Sequence, residues 1–268
     1  MPELPEVETT VRGLERVLKG RRIERVEARR ADLRRAFPPD LGQRLTGARV
    51  TSLGRRAKYG LIHTDRDDTM IFHLGMSGSW RIDHSKLEKH DHLLLETEEG
   101  RRLALNDPRR FGSVDLVPTE EIDRWPPFEA LGPEPFNLDP RELRKRLSGR
   151  TAAIKLMLGD QRIIAGLGNI YVCEALYRAG INPRRAAGSV SLERLGRLVK
   201  AIEGVLNEAI EAGGSTLRDF ISPDGELGYF SKTFAVYDRE GKPCDCGGTV
   251  KRIVQGGRST FYCPRCQH

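Results

Sequence analysis

The chain contains no apolar run of eighteen residues and no basic-then-apolar leader at its start, so neither a helical membrane span nor secretion is indicated. Cysteine is nearly absent before residue 244, with Cys173 alone there and four more in the last 25 residues. That distribution argues against a disulfide framework and for one local metal site in a reducing compartment. Acidic residues are the minority among charged ones: 38 Asp and Glu face 45 Lys and Arg, a net charge of +7. A pI near 9.3 suits an acidic partner such as nucleic acid. With 268 residues the chain can bury a sizeable core, more naturally in two domains than one. A cytoplasmic location and no membrane partner are the expectation.

The apolar pattern changes character along the chain. Val7, Val11, Leu14 and Leu18 recur at helical spacing and stop at Gly20. Short runs follow at Arg22–Ala28, Ala48–Leu53, Tyr59–Thr64, Met70–Leu74, Leu93–Thr97, Arg102–Leu105 and Val114–Val117, broken by Gly or Pro. With no helical period between them, they predict an antiparallel sandwich or barrel over residues 1–117. The proline-rich stretch 118–140 reads as a linker. Helical segments follow at Arg141–Leu147, Ile154–Leu158, Ile170–Ala179, Leu192–Ala212 and Thr216–Phe220, giving a mainly α domain over 141–235. Within it, the glycine- and serine-bearing stretch 213–229 is long enough to be a flap over a pocket.

Three places carry chemistry. Pro2, once Met1 is removed, ends in a secondary amine whose pKa of roughly 7.7–8.0 leaves much of it unprotonated near neutral pH. Such an amine attacking a sugar carbon yields an iminium ion with no N–H proton to lose, the chemistry of a lyase as well as of a transferase. Glu3 stands beside it to exchange protons, and Glu6 is a further acid; read as helix chemistry alone, Glu6 and Glu8 are ordinary first-turn acids near the positive end of a dipole. In Ala165-Gly166-Leu167-Gly168-Asn169 the glycines free the backbone and Asn169 opens a helix, which is either a phosphate site or a plain N-cap. Cys244-Asp-Cys246 and Cys263-Pro-Arg-Cys266 have the four-thiolate layout of a zinc ribbon over 236–268. Between them a β-hairpin turns at Gly256-Gly257 and leaves Arg258 at or beside its tip. Cys173 reads as a packing residue.

Six motifs in one order make the chain resemble the bacterial formamidopyrimidine-DNA glycosylases, also called 8-oxoguanine DNA glycosylases, from end to end. They are Pro2-Glu3-Leu4-Pro5-Glu6, Arg56-Ala57-Lys58-Tyr59, His73-Leu74-Gly75-Met76-Ser77-Gly78, Asn106-Asp107-Pro108-Arg109-Arg110-Phe111-Gly112, Gly168-Asn169-Ile170-Tyr171 and the four-cysteine module. Leu4 separates the chain from the sister endonuclease VIII group, which typically begins Met-Pro-Glu-Gly. The resemblance implies an α+β fold, with an N-terminal helix and antiparallel β-sandwich domain, then a helical domain ending in a zinc-ribbon β-hairpin. It implies a monomer acting on double-stranded DNA that contains oxidised purines or abasic sites, with one structural zinc. It implies that Pro2 attacks C1′ of the damaged nucleotide, that Glu3 moves protons, and that Glu6 lies near the extruded base. Lys58 then holds phosphate and promotes elimination, and His73, Asn169 and Arg258 contact phosphate. Met76, Arg109 and Phe111 fill the gap that base flipping leaves. Excision is followed by strand cleavage on both sides of the sugar, on bacterial chromosomal DNA at the nucleoid. The chain departs from the family pattern in its first zinc pair, usually Cys-x-x-Cys, which tightens that knuckle by one residue; Gly247 and Gly248 supply the freedom it needs. Two other classes compete: a zinc-ribbon DNA-binding protein without catalysis, which leaves Pro2-Glu3 and Lys58 unexplained, and a proline-based tautomerase, which leaves the basic balance and the ribbon unexplained.

Overall fold

The structure is a computed structural model, and it describes residues 1–215, 223 and 228–268. The helix expected at 216–220 and most of the expected flap lie outside the described residues. Two compact units are present, one of Met1–Glu129 with Ala212–Tyr229 and one of Ala130–Glu211 with Phe230–His268.

The first unit is built on helix α1 (Leu4–Leu18), whose Val7, Val11, Leu14 and Leu18 are buried on one face. It begins with a capping box between Glu3 and Glu6 and ends where Gly20 takes a φ of 77°. Eight strands follow, interrupted by the short helix α2 (Leu41–Leu45): β1 (Ile23–Ala28), β2 (Val50–Arg56), β3 (Tyr59–Thr64), β4 (Asp68–His73), β5 (Ser79–Ile82), β6 (Asp91–Thr97), β7 (Arg102–Asn106) and β8 (Ser113–Pro118). They form two antiparallel four-stranded sheets, β1-β6-β7-β5 and β2-β3-β4-β8, which share one core with α1. Phe72 and Trp80, one from each sheet, meet edge to face at 5.7 Å in that core. The arrangement is a sandwich. The sequence pattern misses α2 and β5, since only Trp80 of Ser79–Ile82 is fully buried and a four-residue strand offers too few alternations to count.

Register decides which loops come together. Tyr59 pairs with His73, and His73 pairs with Ser113, so the β2–β3 turn holding Lys58, the 74–78 loop and the 107–112 loop leave one end of the same sheet. Those two loops also lead to β5 and from β7, where Ser79 pairs with Asn106 of the other sheet. They therefore cross between the sheets side by side.

Within the stretch 118–140 expected as a linker, residues 119–129 form short helical turns that belong to the first unit. A 3₁₀ turn (Thr119–Arg124) and helix α3 (Pro126–Glu129) close the first unit, because Trp125 and Phe128 pack edge-on against Tyr59 with ring centroids 5.4 Å away. Ser215 likewise falls in the first unit rather than in the helical one, and its backbone N–H is hydrogen-bonded to Glu6.

The second unit holds α4 (Pro140–Leu147), α5 (Ile154–Leu158), α6 (Asn169–Arg178) and α7 (Leu192–Glu211), then a hairpin of β9 (Lys251–Gln255) and β10 (Arg258–Tyr262). Helix α7 buries Leu195, Leu198, Ile202, Val205 and Leu206 along one stripe. The hairpin pairs Gln255 with Arg258, and Gly256 and Gly257 both take positive φ (56° and 72°) as a two-residue turn of that hand demands. Among the described residues no helix is long and apolar enough to cross a membrane.

Candidate functional site

Helix α1 places the first acids. Glu3 is its N-cap, and the Glu3 N–H donates to Glu6 Oε2 at 2.8 Å. The Glu3 carboxyl accepts the Glu6 backbone N–H in the capping box, at a position that Ser, Thr, Asp and Asn favour more than glutamate does. Pro2, Glu3 (3% exposed) and Glu6 (2%) are all buried. Oε1 of Glu6 accepts the backbone N–H of Ser215 at 2.8 Å and its hydroxyl at 3.0 Å. Both oxygens of Glu6 thus join the start of α1 to the edge of the 213–229 stretch. Ser215 has no periodic or motif signal, and only the fold identifies it.

Lys58 is buried (6% exposed) at a tight turn in which Ala57 takes a φ of 53°. Arg55 braces that turn, donating from Nη1 to the Ala57 carbonyl at 2.9 Å and from Nε to Glu8 at 3.1 Å. Glu8 is therefore more than a first-turn acid: through Arg55 it ties α1 to the turn that presents Lys58.

His73 ends β4 with its ring against Tyr59, centroids 4.8 Å apart. Burial, reinforced by the cations Lys58, Arg34 and Arg35, lowers its pKa from 6.5 to about 4. The ring is neutral at physiological pH. Its Nδ1 accepts the N–H of Gly75 at 3.0 Å, so the single proton sits on Nε2, which is left as a donor suited to an anionic oxygen.

The two crossing loops are held by Asp107, which is fully buried. It accepts the Ser77 hydroxyl at 2.7 Å and the Gly112 N–H at 2.8 Å, while the Arg109 N–H donates to Ser77 Oγ at 3.2 Å. A side chain at Gly75 would come within 2.3 Å of the Phe111 backbone, so only glycine lets the loops approach this closely. Met76 on one loop is half-buried, and Arg109 and Phe111 on the other are exposed. Phe111 is 48% exposed with the Arg109 guanidinium 4.9 Å from its ring centre. The ring thus adds little to the core and stays open to solvent.

In the second unit Gly168, not Asn169, caps α6; Asn169 is the first helical residue. Its Nδ2 donates to the Ser259 carbonyl of the hairpin at 2.8 Å. The loop before it is pinned by Gln161, which accepts the Gly166 N–H at 2.8 Å and donates to the Leu167 carbonyl at 2.7 Å. Gln161 escapes sequence reading, as does Lys155 on α5, only 4% exposed and a rare buried lysine. Arg258 is exposed beside the hairpin turn.

The four cysteines Cys244, Cys246, Cys263 and Cys266 bring their sulfurs within 4.8 Å of one another. The Cys244–Cys266 and Cys246–Cys263 sulfurs are 3.9 and 3.5 Å apart. Tetrahedral zinc with Zn–S bonds of about 2.3 Å needs sulfurs separated by about 3.8 Å, so the set fits one ion. The one-residue knuckle closes through Gly247 N–H to the Cys244 carbonyl at 2.8 Å and Cys244 N–H to the Gly248 carbonyl at 2.9 Å. Gly247 takes a φ of 76°, and a side chain at Gly248 would press within 3.0 Å of the Cys263 sulfur. Burial and the neighbouring sulfurs hold the Cys266 thiol well above its usual range, a penalty that a coordinating dication removes. Cys173 is buried in the cluster under this module.

Residues 1–114 match the formamidopyrimidine-DNA glycosylase N-terminal domain, 131–221 the formamidopyrimidine-DNA glycosylase H2TH domain and 241–268 the zinc finger found in FPG and IleRS. The chain belongs to the formamidopyrimidine-DNA glycosylase family. It is 70% identical to the formamidopyrimidine-DNA glycosylase of Novosphingobium aromaticivorans and 66% identical to that of Rhizorhabdus wittichii, over the full length of both partners in each case. Among solved structures it is similar to Lactococcus lactis Fpg in complex with abasic-site DNA (TM-score 0.92, 34% identity, all of both chains). A mutant of the same protein with Fapy-dG containing DNA superposes equally well, at a TM-score of 0.92 and 34% identity over all of both chains.

Proposed function

We propose that the chain is a bifunctional DNA glycosylase and abasic-site lyase that removes 8-oxoguanine and formamidopyrimidines from duplex DNA in base excision repair. The observation that carries this reading is the buried Glu3 carboxyl set immediately after Pro2, at a cap position that a glutamate does not favour. With Met1 removed, the Pro2 nitrogen attacks C1′, the glycosidic bond breaks and the base leaves with the electron pair. Glu3 supplies and withdraws protons as the sugar ring opens to an iminium ion. Loss of a C2′ proton then expels the 3′ phosphate, and a second elimination expels the 5′ phosphate.

The other residues bind and position. Lys58, a cation held out of water by the Arg55-braced turn, takes a phosphate and stabilises its departure. Neutral His73 donates from Nε2 to a phosphate oxygen, and Asn169 and Arg258 serve further phosphates from the helical unit. Phe111, Arg109 and Met76 enter the duplex where the lesion is extruded, the ring filling the stack and the guanidinium meeting the unpaired base. Glu6, both of whose oxygens are engaged, acts by fixing Ser215 at the border of the extruded base's pocket. Cys244, Cys246, Cys263 and Cys266 hold a zinc ion that supplies folding energy to the ribbon and takes no part in the chemistry. The reaction is placed in the cytoplasm on chromosomal DNA.

The test is a strand-cleavage assay on a duplex with 8-oxoguanine opposite cytosine. Excision with products carrying phosphate at both new ends supports the reading, and tight binding with no excision would reduce the protein to a lesion-binding module.

A further inference from the structure

Helix α6 reaches the metal module with a side chain that is not a ligand. The Tyr177 hydroxyl lies 3.3 Å from Cys244 Sγ, and its ring packs against the cluster of Cys173, Val236, Cys244, Val250, Phe261 and Cys263. A sulfur that binds zinc is a thiolate without a proton, so the hydroxyl must be the donor. Hydrogen bonds to metal-bound thiolates spread their charge and strengthen retention of the ion. The need is acute in this knuckle, because the Gly247 N–H turns back to the Cys244 carbonyl at 2.8 Å and the Gly248 N–H serves Cys246, leaving neither for the Cys244 sulfur. Cys244 receives the Cys246 N–H, and its second donor comes from α6.

We propose that Tyr177 is a positioning residue for the zinc site, an outer donor to Cys244 that compensates for the shortened knuckle. The inference rests on the zinc reading of the four cysteines. The same helix is fastened to the module twice more. Glu174 accepts the N–H groups of Ala235, Val236 and Tyr237 at 2.8–3.0 Å, and Asn169 donates to Ser259 at 2.8 Å. One rigid element therefore carries Asn169 at its start and a donor to a zinc ligand near its end, which links metal retention to the placement of a phosphate-binding residue.

Tyr177→Phe keeps the packed ring and deletes only the hydroxyl. Full-length protein and variant, both zinc-loaded, are mixed with excess 4-(2-pyridylazo)resorcinol and zinc transfer is followed, with circular dichroism as the folding control. The expected result is equal starting zinc and weaker retention in the variant by about 10-fold, the lower end of the range for loss of an outer-shell partner. In cobalt-substituted protein the near-ultraviolet thiolate-to-cobalt band should move to lower energy, a shift that a purely structural change would not give. Should the Phe variant fail to fold, 3-fluorotyrosine at position 177 keeps the shape with a stronger donor and must slow zinc loss. Equal retention with an unmoved cobalt band in a folded variant overturns the proposal. A zinc-free unmutated protein would overturn the zinc reading and this inference together.

Discussion

The two units solve one problem, holding a polar group still, by different physical means. The β unit has a core large enough to bury its charges: Glu3, Glu6, Lys58 and Asp107 are each at most 6% exposed. For Glu6 and Asp107 the cost of desolvation is offset by hydrogen bonds donated by backbone N–H groups and by Ser215 and Ser77. The ribbon at the end of the helical unit has too few residues for such a core, and four sulfurs within 4.8 Å take its place. Arg258, the phosphate contact proposed for it, is exposed, and the neighbouring Val254 is 68% exposed. Chemistry that needs a carboxyl held still and out of water belongs in the first setting, whereas grip on a phosphate backbone needs only a rigid, exposed donor.

The largest effect should come from the buried side of the comparison. Glu3→Gln is expected to lower single-turnover excision by about 10²–10⁴-fold, the usual worth of a positioned acid or base. The loss of its cap should cost only about 1 kcal/mol of stability. Normal excision by a folded Glu3→Gln protein would return Glu3 to a capping role. Removing zinc with a chelator is expected next, with lesion-duplex affinity falling roughly 100-fold or more, about 2.7 kcal/mol or above. Hydrogen exchange should show the β core around Ile62, Phe72 and Leu95 unchanged, because the one candidate metal cluster among the described residues is the four-cysteine set of the other unit. Exchange that rises throughout both units would contradict the division of labour.

The halves also differed in what their sequence reveals. Helix α1 and the ribbon were legible because periodicity and ligand spacing are local, and Gly256-Gly257 announces its turn. The partners that complete the site are distant in sequence: Ser215 lies 209 residues from Glu6, and Tyr177 lies 67 from Cys244. Their roles follow from topology, which no window of residues contains. Within the proline-rich stretch 118–140 the short helices of 119–129 escaped the sequence pattern, since proline marks the ends of short helices as readily as a linker, and their Trp125 and Phe128 pack on Tyr59.

Smaller effects sharpen the contrast within the β unit. Phe111→Ala combined with Met76→Ala should lower excision by about 10- to 100-fold. Truncating the exposed Phe111 alone should change stability by no more than about 0.5 kcal/mol. A large loss of melting temperature with normal activity would place both side chains in the core. The smallest expected effect concerns His73. Its folded pKa of about 4 lies below the ordinary 6.5, so between those values the unfolded chain binds the extra proton and stability rises with pH. Acidification from about 6.5 towards 4 should therefore cost the wild type roughly 2 kcal/mol that a His73→Gln variant does not lose, as read by denaturant titration at several pH values. Parallel pH profiles for the two proteins would show that the ring is not buried as described.

The central claim is that a terminal imino group, with a buried carboxyl beside it, carries the reaction. Borohydride reduction during turnover of a duplex containing 8-oxoguanine opposite cytosine, followed by peptide mass mapping, addresses it directly. The account predicts a covalent protein–DNA adduct on the nitrogen of Pro2 in chains that have lost Met1, and none on chains that retain it. An adduct on Lys58 or another lysine of the unmutated protein, or excision with no adduct at all, would contradict it.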